Sequence, residues 1–466
     1  MKTRLESDSV GTLEIPADAY YGVQTYRAKM NFPITGQVLK PDMINSLVEI
    51  KKAAVMANHI DGSIGDELYH AMVQACDYIL DGNLHDQFIT DPIQGGAGTS
   101  SNMNANEVVA NKTLEILGKE KGDYQYCHPN DHVNMCQSTN DVYPTAGKMT
   151  ILKLIDKTID QLEHLLKAFY QKADEFKHIY KMGRTQLEDA VPVSLGESFG
   201  AFAHALERDI ARIRRTSDEM RVVNMSATAV GTCINATQVY HDNIIPCLNQ
   251  VAGLGLRMAD DLIDATQNLD GYVSMSGAIK TCAVNLSKIS NDLRLMNSGP
   301  KDGLGEIVLP AKQNGSSIMP GKINPVIPEV VSQVAFNIVG NDMAITMAAE
   351  AGQLELNAFE PVLFYNLFES IETLGHAATT LADNCVSGIT ANAEVCKANI
   401  EKSAGIVTAL CPVIGYQKSA EIAKKVLKSG KTAREYLLEE GIMTNEQIDR
   451  VLDPEKLVHP IYKSKA

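Results

Sequence analysis

Three clusters of small and polar residues interrupt otherwise apolar sequence, and each could bind an anion. The first reads GGAGTSSNMN at 95–104. Glycines let the backbone approach a ligand closely, and the hydroxyls and amides that follow can open a helix whose free N–H groups face a negative charge. A flexible loop with a helix N-cap at Ser100 or Ser101 explains the same residues.

The second cluster begins with two histidines, His128 and His132, that are four residues apart. On a helix, four-residue spacing would allow both imidazoles to ligate one metal ion. The Pro-Asn pair after His128 favours a turn instead, and no third ligand is evident. We therefore predict that the chain has no metal site.

The second cluster continues as QSTND at 137–141. Ser138, Thr139 and Asn140 supply hydrogen-bond donors and acceptors that suit a small carboxylate or an amine. The same residues are typical of an N-cap that starts a helix. Both interpretations can hold together, because a helix N-terminus itself attracts anions.

The third cluster reads GSSIMPGKINP at 315–325. Consecutive glycine and serine residues make a mobile hinge, and Lys322 and Asn324 add a cation and an amide. Such a loop suits proton abstraction next to a carboxylate, because the resulting dianion needs donors aimed at it and closure would exclude water. An ordinary loop between helices is the alternative.

Charge and cysteine content narrow the possible partners and location. The 466 residues contain 42 Lys and Arg against 57 Asp and Glu, a formal charge of −15. Nucleic-acid binding is disfavoured, because phosphate neutralisation needs clustered basic residues. The nine cysteines are scattered and odd in number, which favours a reducing cytosol over a disulfide framework. With no apolar leader at the N-terminus and no run of about 18 apolar residues, we expect a cytoplasmic protein without a membrane span.

Periodic apolar residues predict long helices from about residue 145 onward. Two runs have the spacing of a bundle seam: Leu152, Ile155, Ile159, Leu162, Leu166 and Phe169, and then Leu195, Phe199, Phe202, Leu206, Ile210 and Ile213. Further helices are expected at Met275 to Leu295 and Leu363 to Ile389. Because 328–352 is apolar or small on nearly every face, we place it at the centre of a bundle and expect a homo-oligomer.

The predicted subunit is mostly α and has three domains. Residues 1–139 form a mixed, mainly helical domain punctuated by glycine, proline and asparagine, and residues 140–393 form the long helical bundle. Residues 394–466 form a small helical domain. The segment 391–466, which contains it, carries a net charge of +2. We interpret that positive balance as solvated surface rather than as a binding site.

The third cluster closely resembles the shared motif of the fumarase/aspartase superfamily of lyases. The resemblance extends along the chain through DAYYGVQTYRAKMNFPITG at 18–36, GAGTSSNMNANEV at 96–108, HPNDHVNMCQSTND at 128–141, GRTQLEDAVPVSLG at 183–196 and AAEAGQLELNAFEPV at 348–362. It implies a three-domain helical subunit and a homotetramer built on a twenty-helix core, with each active site assembled from three subunits.

Within the superfamily the chain is most similar to the aspartases. NPVIPEVV after the loop, the QSTND form of the second cluster, NFPITG and GITANAEVC resemble that branch more than the fumarases, and the argininosuccinate and adenylosuccinate branches differ around the Lys-x-Asn. The implied reaction is reversible anti-elimination of ammonia from L-aspartate to fumarate, with no required cofactor. Class II fumarate hydratase and a non-catalytic helical scaffold are the alternatives.

The resemblance also assigns roles to individual residues. It makes Ser316 the general base that removes the C3 proton, which requires loop N–H groups and positive charge to stabilise its anion. The aci-carboxylate would be held by Thr99, Ser138, Thr139 and Ser317. The other carboxylate would be held by Lys322, Asn324 and Thr185. Asn140 and Thr139 would lie near the departing amine.

Three further positions follow from the same resemblance. Gln186 stands where fumarases and some aspartases have histidine, and a neutral amide can bind a carboxylate or an amine but cannot accept a proton. His128, Asn130 and Asp131 match a secondary anion site of fumarases. We interpret Cys136, where the family often has serine, as a small buried filler.

Overall fold

The computed structural model describes residues 2–458 and is mostly helical, which confirms the predicted fold class. The helices of the N-terminal part are α1 (Val23–Asn31), α2 (Pro41–Ile60), α3 (Asp66–Leu80) and α4 (Thr99–Ile116). The central helices are α5 (Thr139–Glu175), α6 (Leu195–Ser217), α7 (Gln238–Ala252), α8 (Leu262–Gln267), α9 (Asp270–Met296), α10 (Val326–Glu350) and α11 (Glu360–Asn384). The last are α12 (Ala393–Lys402), α13 (Cys411–Ile414), α14 (Tyr416–Ser429), α15 (Ala433–Glu439), α16 (Asn445–Val451) and α17 (Pro454–Val458).

The strands of the described chain form four small two-stranded sheets. Two are antiparallel hairpins, β1 (Thr3–Asp8) with β2 (Gly11–Pro16) and β3 (Tyr180–Thr185) with β4 (Glu188–Ser194). The other two pair only two residues per strand: β5 (Val222–Val223) with β6 (Arg257–Met258) in parallel, and β7 (Ile307–Val308) with β8 (Thr390–Ala391) antiparallel. None of the described helices is both long and apolar enough to cross a bilayer.

Both predicted apolar seams are found on helices, α5 and α6. All six seam residues of α6 are buried, and five of the six on α5 are buried, with Leu166 only partly covered. The third predicted helix is α9, which ends three residues before Gly299. The fourth is α11, which starts at Glu360 and ends at Asn384, five residues earlier than expected.

Helix α10 is only partly enclosed by its own chain. Phe336, Met343 and Met347 are 66%, 63% and 64% exposed, so the predicted enclosure of every face would need helices of other subunits. Their spacing of seven and four residues puts them on one side of the helix. One subunit therefore leaves an apolar stripe of its own central helix in contact with solvent.

The described residues form two compact units. The first contains residues up to 159, then 211–281 and 336–374. The second contains 160–210, 282–335 and the described residues from 375 onward. The three-domain division at 139 and 393 stays a prediction.

An aromatic cluster packs the long helices of the first unit together. The rings of Tyr143 on α5 and Tyr272 on α9 lie 5.4 and 5.2 Å from that of Phe364 on α11. Tyr272 also donates its hydroxyl to the main-chain oxygen of Pro144, at 3.1 Å. Gly147 makes this packing possible, because a methyl group there would stand 2.0 Å from the Phe364 ring.

In the second unit, phenylalanines join α5 to α6, and small helices form a separate cluster. The ring of Phe169 on α5 lies 5.9 Å from that of Phe202 on α6, and Phe176, directly after α5, lies 5.4 Å from Phe199 on α6. The cluster near the C-terminus includes Met182 of β3 together with Leu410 and Leu437. The β3–β4 hairpin is thus anchored by burial of one of its own side chains.

Gly147→Ala tests whether the aromatic cluster has any room. We expect a lower melting temperature by circular dichroism, because overpacking a core typically costs about 1–3 kcal/mol. Gly200→Ala on α6 is the matched control, since no atom lies within 4 Å of its added methyl and alanine is the better helix former. Equal melting temperatures for the two variants would contradict the packing described for Phe364.

Candidate functional site

The start of α5 carries three of the proposed ligand-binding residues. Ser138 caps the helix, because its Oγ accepts the Asn140 N–H at 3.2 Å. Asp141 completes the cap by accepting the Ser138 N–H at 3.0 Å. Since the Ser138 oxygen is used as an acceptor, its own proton is left to donate, as a carboxylate ligand requires. The N-cap interpretation of the second cluster is confirmed.

Thr139 is prepared in the same way by the neighbouring helix α4. The side-chain amide of Asn102 donates to Thr139 Oγ1 at 3.2 Å. The threonine hydroxyl proton can therefore point toward a ligand. Only 9% of Thr139 is exposed.

Asn140 has a free acceptor in its side-chain amide. Its Nδ2 donates to the main-chain oxygen of Ala229 at 2.7 Å. That contact fixes which end of the amide is nitrogen, because a carbonyl oxygen accepts only from an N–H. The Oδ1 atom remains to accept a hydrogen bond, which suits an amine and not a carboxylate.

The N-cap predicted at Ser100 or Ser101 is wrong, because α4 begins at Thr99 and Gly98 is its N-cap. The Thr99 hydroxyl has the opposite polarity from the one expected. It donates to the Gly96 main-chain oxygen at 2.7 Å, so it must rotate before it can donate to a carboxylate. The beginnings of α4 and α5 are in contact, since a methyl group on Gly98 would stand 2.4 Å from the Tyr143 ring. The first unit therefore brings Thr99, Ser138, Thr139 and Asn140 to two adjoining helix N-termini.

A buried lysine that sequence reasoning missed lies behind these residues. Lys51 of α2 is fully buried and donates to the amide oxygens of Asn102, Asn134 and Gln137 at 2.7, 2.9 and 2.9 Å. Three acceptors satisfy all three ammonium protons. Burial lowers the pKa of Lys51 to about 7, and the negative charge of Asp141 acts in the opposite direction. The sequence gives no signal of this role, because two consecutive lysines, at 51 and 52, are typical of an exposed surface.

The two histidines of the second cluster support a turn, as predicted. Pro129–Val133 forms a single wide helical turn that His128 caps, with Nδ1 facing the N–H groups of Asn130 and Asp131 at 3.1 and 3.2 Å. Nδ1 of His132 accepts the His128 N–H at 2.8 Å. Within residues 2–458, no group of three or more potential His, Cys, Asp or Glu ligands is arranged for a metal ion.

The prediction for Cys136 is wrong. Its side chain is only half-buried, and its backbone adopts φ of 61°, a conformation that residues with a Cβ rarely adopt. Burial still raises the pKa of the Cys136 thiol. The residue is part of a tight turn before α5 rather than a filler of the core.

In the second unit, Thr185 and Gln186 lie at the exposed tip of the β3–β4 hairpin. Gln186 and Leu187 form its two-residue turn, with φ of 54° and 67°. Turns with two left-handed residues favour Asn-Gly, so Gln-Leu is strained here. Strain of this kind persists only where the surrounding structure imposes it.

The base of this hairpin is held by a buried carboxylate, Glu306, which sequence reasoning also missed. Its side chain is fully buried and lies 3.0 Å from Lys181 Nζ and 2.7 Å from Arg184 Nη1. Two cations around one desolvated carboxylate offset the cost of burying it. Arg184, which directly precedes Thr185, is thereby held by a buried ion cluster.

Ser316 lies in a turn of the third cluster that suits a stabilised alkoxide. Its Oγ accepts the N–H groups of Ile318 and Met319 at 3.2 and 2.9 Å. Hydrogen bonds donated to an oxygen favour its negatively charged form. Ser316 is half-buried, whereas Ser317 and Lys322 are exposed.

The ends of the loop are tied together while its tip points into solvent. Gly315 donates its N–H to the Lys322 oxygen at 2.9 Å and accepts from Asn324 Nδ2 at 2.7 Å. No larger residue fits at Gly315, since a methyl group would stand 2.5 Å from the Lys322 oxygen. Ile318 is 84% exposed. The loop thus brings Ser316, Ser317, Lys322 and Asn324 together.

Comparison with protein families gives two matches. Residues 11–340 match the family described as lyase, and residues 406–459 match the family described as fumarase C C-terminus. The aspartate ammonia-lyase of Bacillus subtilis (strain 168) is 51% identical over 457 residues, covering 98% of this chain and 96% of that protein. The aspartate ammonia-lyase of Escherichia coli (strain K12) is 48% identical over 465 residues, covering 99% and 97%.

Solved structures agree with these relatives. A fumarate lyase:delta crystallin from Brucella melitensis has a TM-score of 0.96 and 50% identity, covering 98% of this chain and all of that one. A recombinant class II fumarase from Schistosoma mansoni has a TM-score of 0.94 but only 34% identity, with the same coverage. The family match over most of the chain and the full-length relatives lead to one conclusion: the chain belongs to the fumarase/aspartase superfamily of lyases.

Proposed function

We propose that this chain is an aspartate ammonia-lyase that eliminates ammonia reversibly from L-aspartate to give fumarate. The observation that carries the proposal is the identity of 48–51% to enzymes of that name over 98–99% of the chain. Identity to a class II fumarase with nearly the same fold is 34%.

In the proposed reaction, Ser316 takes the proton from C3 of aspartate. The electron pair of that C–H bond moves into the adjacent carboxylate and forms an aci-carboxylate with two negative charges. The pair then returns to form the C2–C3 double bond while the C2–N bond breaks, and ammonia leaves with the electrons of that bond. The N–H groups of Ile318 and Met319 would hold the Ser316 oxygen as the base.

The dianion needs donors that strengthen as its charge develops. We propose that the hydroxyls of Thr99, Ser138, Thr139 and Ser317 hold the aci-carboxylate. Lys322, Asn324 and Thr185 would hold the other carboxylate, with Gln186 beside it as a neutral amide. Lys322 supplies a compact charge that can release its anion when the product leaves.

We propose a homotetramer in which three subunits contribute to each active site. The exposed stripe of Phe336, Met343 and Met347 on α10 supports it, because an apolar stripe in the middle of a 25-residue helix needs a partner. Helix α10 of other copies would cover the stripe in a twenty-helix core. The number and scatter of the cysteines favour a cytoplasmic location.

The first test measures the substrate and the base together. The wild-type protein should release fumarate from L-aspartate, as detected by ultraviolet absorbance, and Ser316→Ala should lower kcat by about 10²–10⁴-fold, the usual contribution of a general base. Ser429→Ala is the control, since Ser429 belongs to the same unit and its Oγ also accepts a backbone N–H, from Lys431. Fumarate formed from L-malate but not from L-aspartate would identify a fumarase instead, and inactivity with both would favour a scaffold.

Lys322→Ala tests the grip on the second carboxylate. We expect KM for L-aspartate to rise about ten- to a hundredfold, because a hydrogen bond to a charged group contributes about 1.5–3 kcal/mol. Lys301→Ala, at another exposed loop lysine of the same unit, is the control and should leave KM unchanged. A normal KM and kcat in Lys322→Ala would exclude the role.

Met343→Asp tests the proposed tetramer. A carboxylate in the middle of the α10 stripe would lose its hydration in the assembly, so light scattering should detect smaller species. Leu427→Asp is the control, because Leu427 is 73% exposed on α14, away from that stripe. A wild-type protein that is monomeric, or a Met343→Asp variant that remains fully tetrameric, would refute the assignment of this stripe.

A further inference from the structure

A strained segment, residues 224–235, lies against Asn140. Four of its residues that carry a Cβ have left-handed backbone angles: Ser226, Thr228, Cys233 and Asn235, with φ of 76°, 56°, 58° and 66°. Such angles are unfavourable and persist where other contacts impose them. The contacts that hold this segment include three hydrogen bonds with the start of α5.

Asp141 supplies the main contact. Its Oδ1 accepts the Ser138 N–H at 3.0 Å, and its Oδ2 accepts the Thr228 N–H at 2.9 Å. The carboxylate is fully buried, so neither bond competes with water. The Asp141 side chain thus links the N-cap of α5 to the strained segment, which also contacts Asn140.

The segment in turn fixes Asn140 at two points. The oxygen of Ala229, directly after Thr228, accepts from Asn140 Nδ2 at 2.7 Å. Asn224 Nδ2 donates to the main-chain oxygen of Asn140 at 3.0 Å. The direction of the Asn140 amide is therefore set by where the segment holds the Ala229 carbonyl.

We propose that Asp141 is a positioning residue for the amine subsite: it pins Thr228, so that Ala229 holds the Asn140 amide with Oδ1 presented to the amino group of the substrate. This inference rests on the proposed function. It concerns the amine alone, because Oδ1 accepts hydrogen bonds and the carboxylates of fumarate have none to donate. Asp141 itself touches no substrate.

In the reverse reaction the effects on ammonia and on fumarate can be measured separately, because each substrate has its own KM. In Asp141→Asn the amide cannot accept both N–H groups, so the Ala229 carbonyl loses its fixed position. We expect KM for ammonium to rise about tenfold, which equals about 1.4 kcal/mol, while KM for fumarate changes less than twofold. In an Asn140→Ala background, Asp141→Asn should cause no further rise in KM for ammonium.

Glu107→Gln is the matched control. Glu107 is also a buried carboxylate that accepts backbone N–H groups, from Gly22, Gln24 and Thr25 at 2.8, 3.0 and 3.1 Å. Burial raises the pKa of both Asp141 and Glu107 to about 7. Glu107→Gln should lower the melting temperature without changing the ratio of the two KM values.

If Asp141→Asn does not fold, Asn224→Ala provides a second test, because it removes the hydrogen bond from Asn224 to the main-chain oxygen of Asn140. We expect the same selective rise in KM for ammonium. Equal changes in both KM values, a fall in kcat alone, or an undiminished effect in the Asn140→Ala background would overturn the positioning role. These outcomes require a wild-type enzyme that acts on L-aspartate. A wild-type protein inactive with L-aspartate would refute the proposed function itself.

Discussion

The proposed ligand-binding part of the first unit depends on the first turn of α5. A helix start leaves N–H groups unpaired, and here Ser138 and Asp141 satisfy two of them in a reciprocal cap. The cap uses the oxygen of Ser138 and leaves its proton to donate. The same turn that stabilises the helix thus produces a donor for an anionic ligand.

A chain with a net charge of −15 must create this donor-rich surface against its own long-range field. It does so with short-range hydrogen bonds between buried groups, which dissolved salt screens only weakly. Lys51 sets the Asn102 amide, which in turn directs the Thr139 hydroxyl. Lys322 adds a positive charge on the open loop. The field of the whole protein disfavours polyanionic partners, whereas the proposed site relies on these local contacts for a small dicarboxylate.

Buried charges position polar groups in both units. Lys51 and Asp141 flank the helix starts of the first unit, and Glu306 joins Lys181 to Arg184 beneath the hairpin of the second. Each costs desolvation, which its partners offset. What these charges provide is a fixed orientation for the neighbouring amides and hydroxyls, a property that packing of apolar side chains alone does not supply.

The sequence by itself determined the long central helices, the N-cap of α5 and the family. Period-3.6 patterns reveal α5 and α6 because burial of one helix face is written in local spacing, and the motifs at 96–108, 128–141 and 315–325 mark the polar clusters directly. Only the tertiary structure decided which lysine is buried, which end of Asn140 faces a ligand and that Thr99 donates to Gly96. These depend on contacts between residues far apart in the chain, such as Asn140 and Ala229, and local spacing carries no record of them.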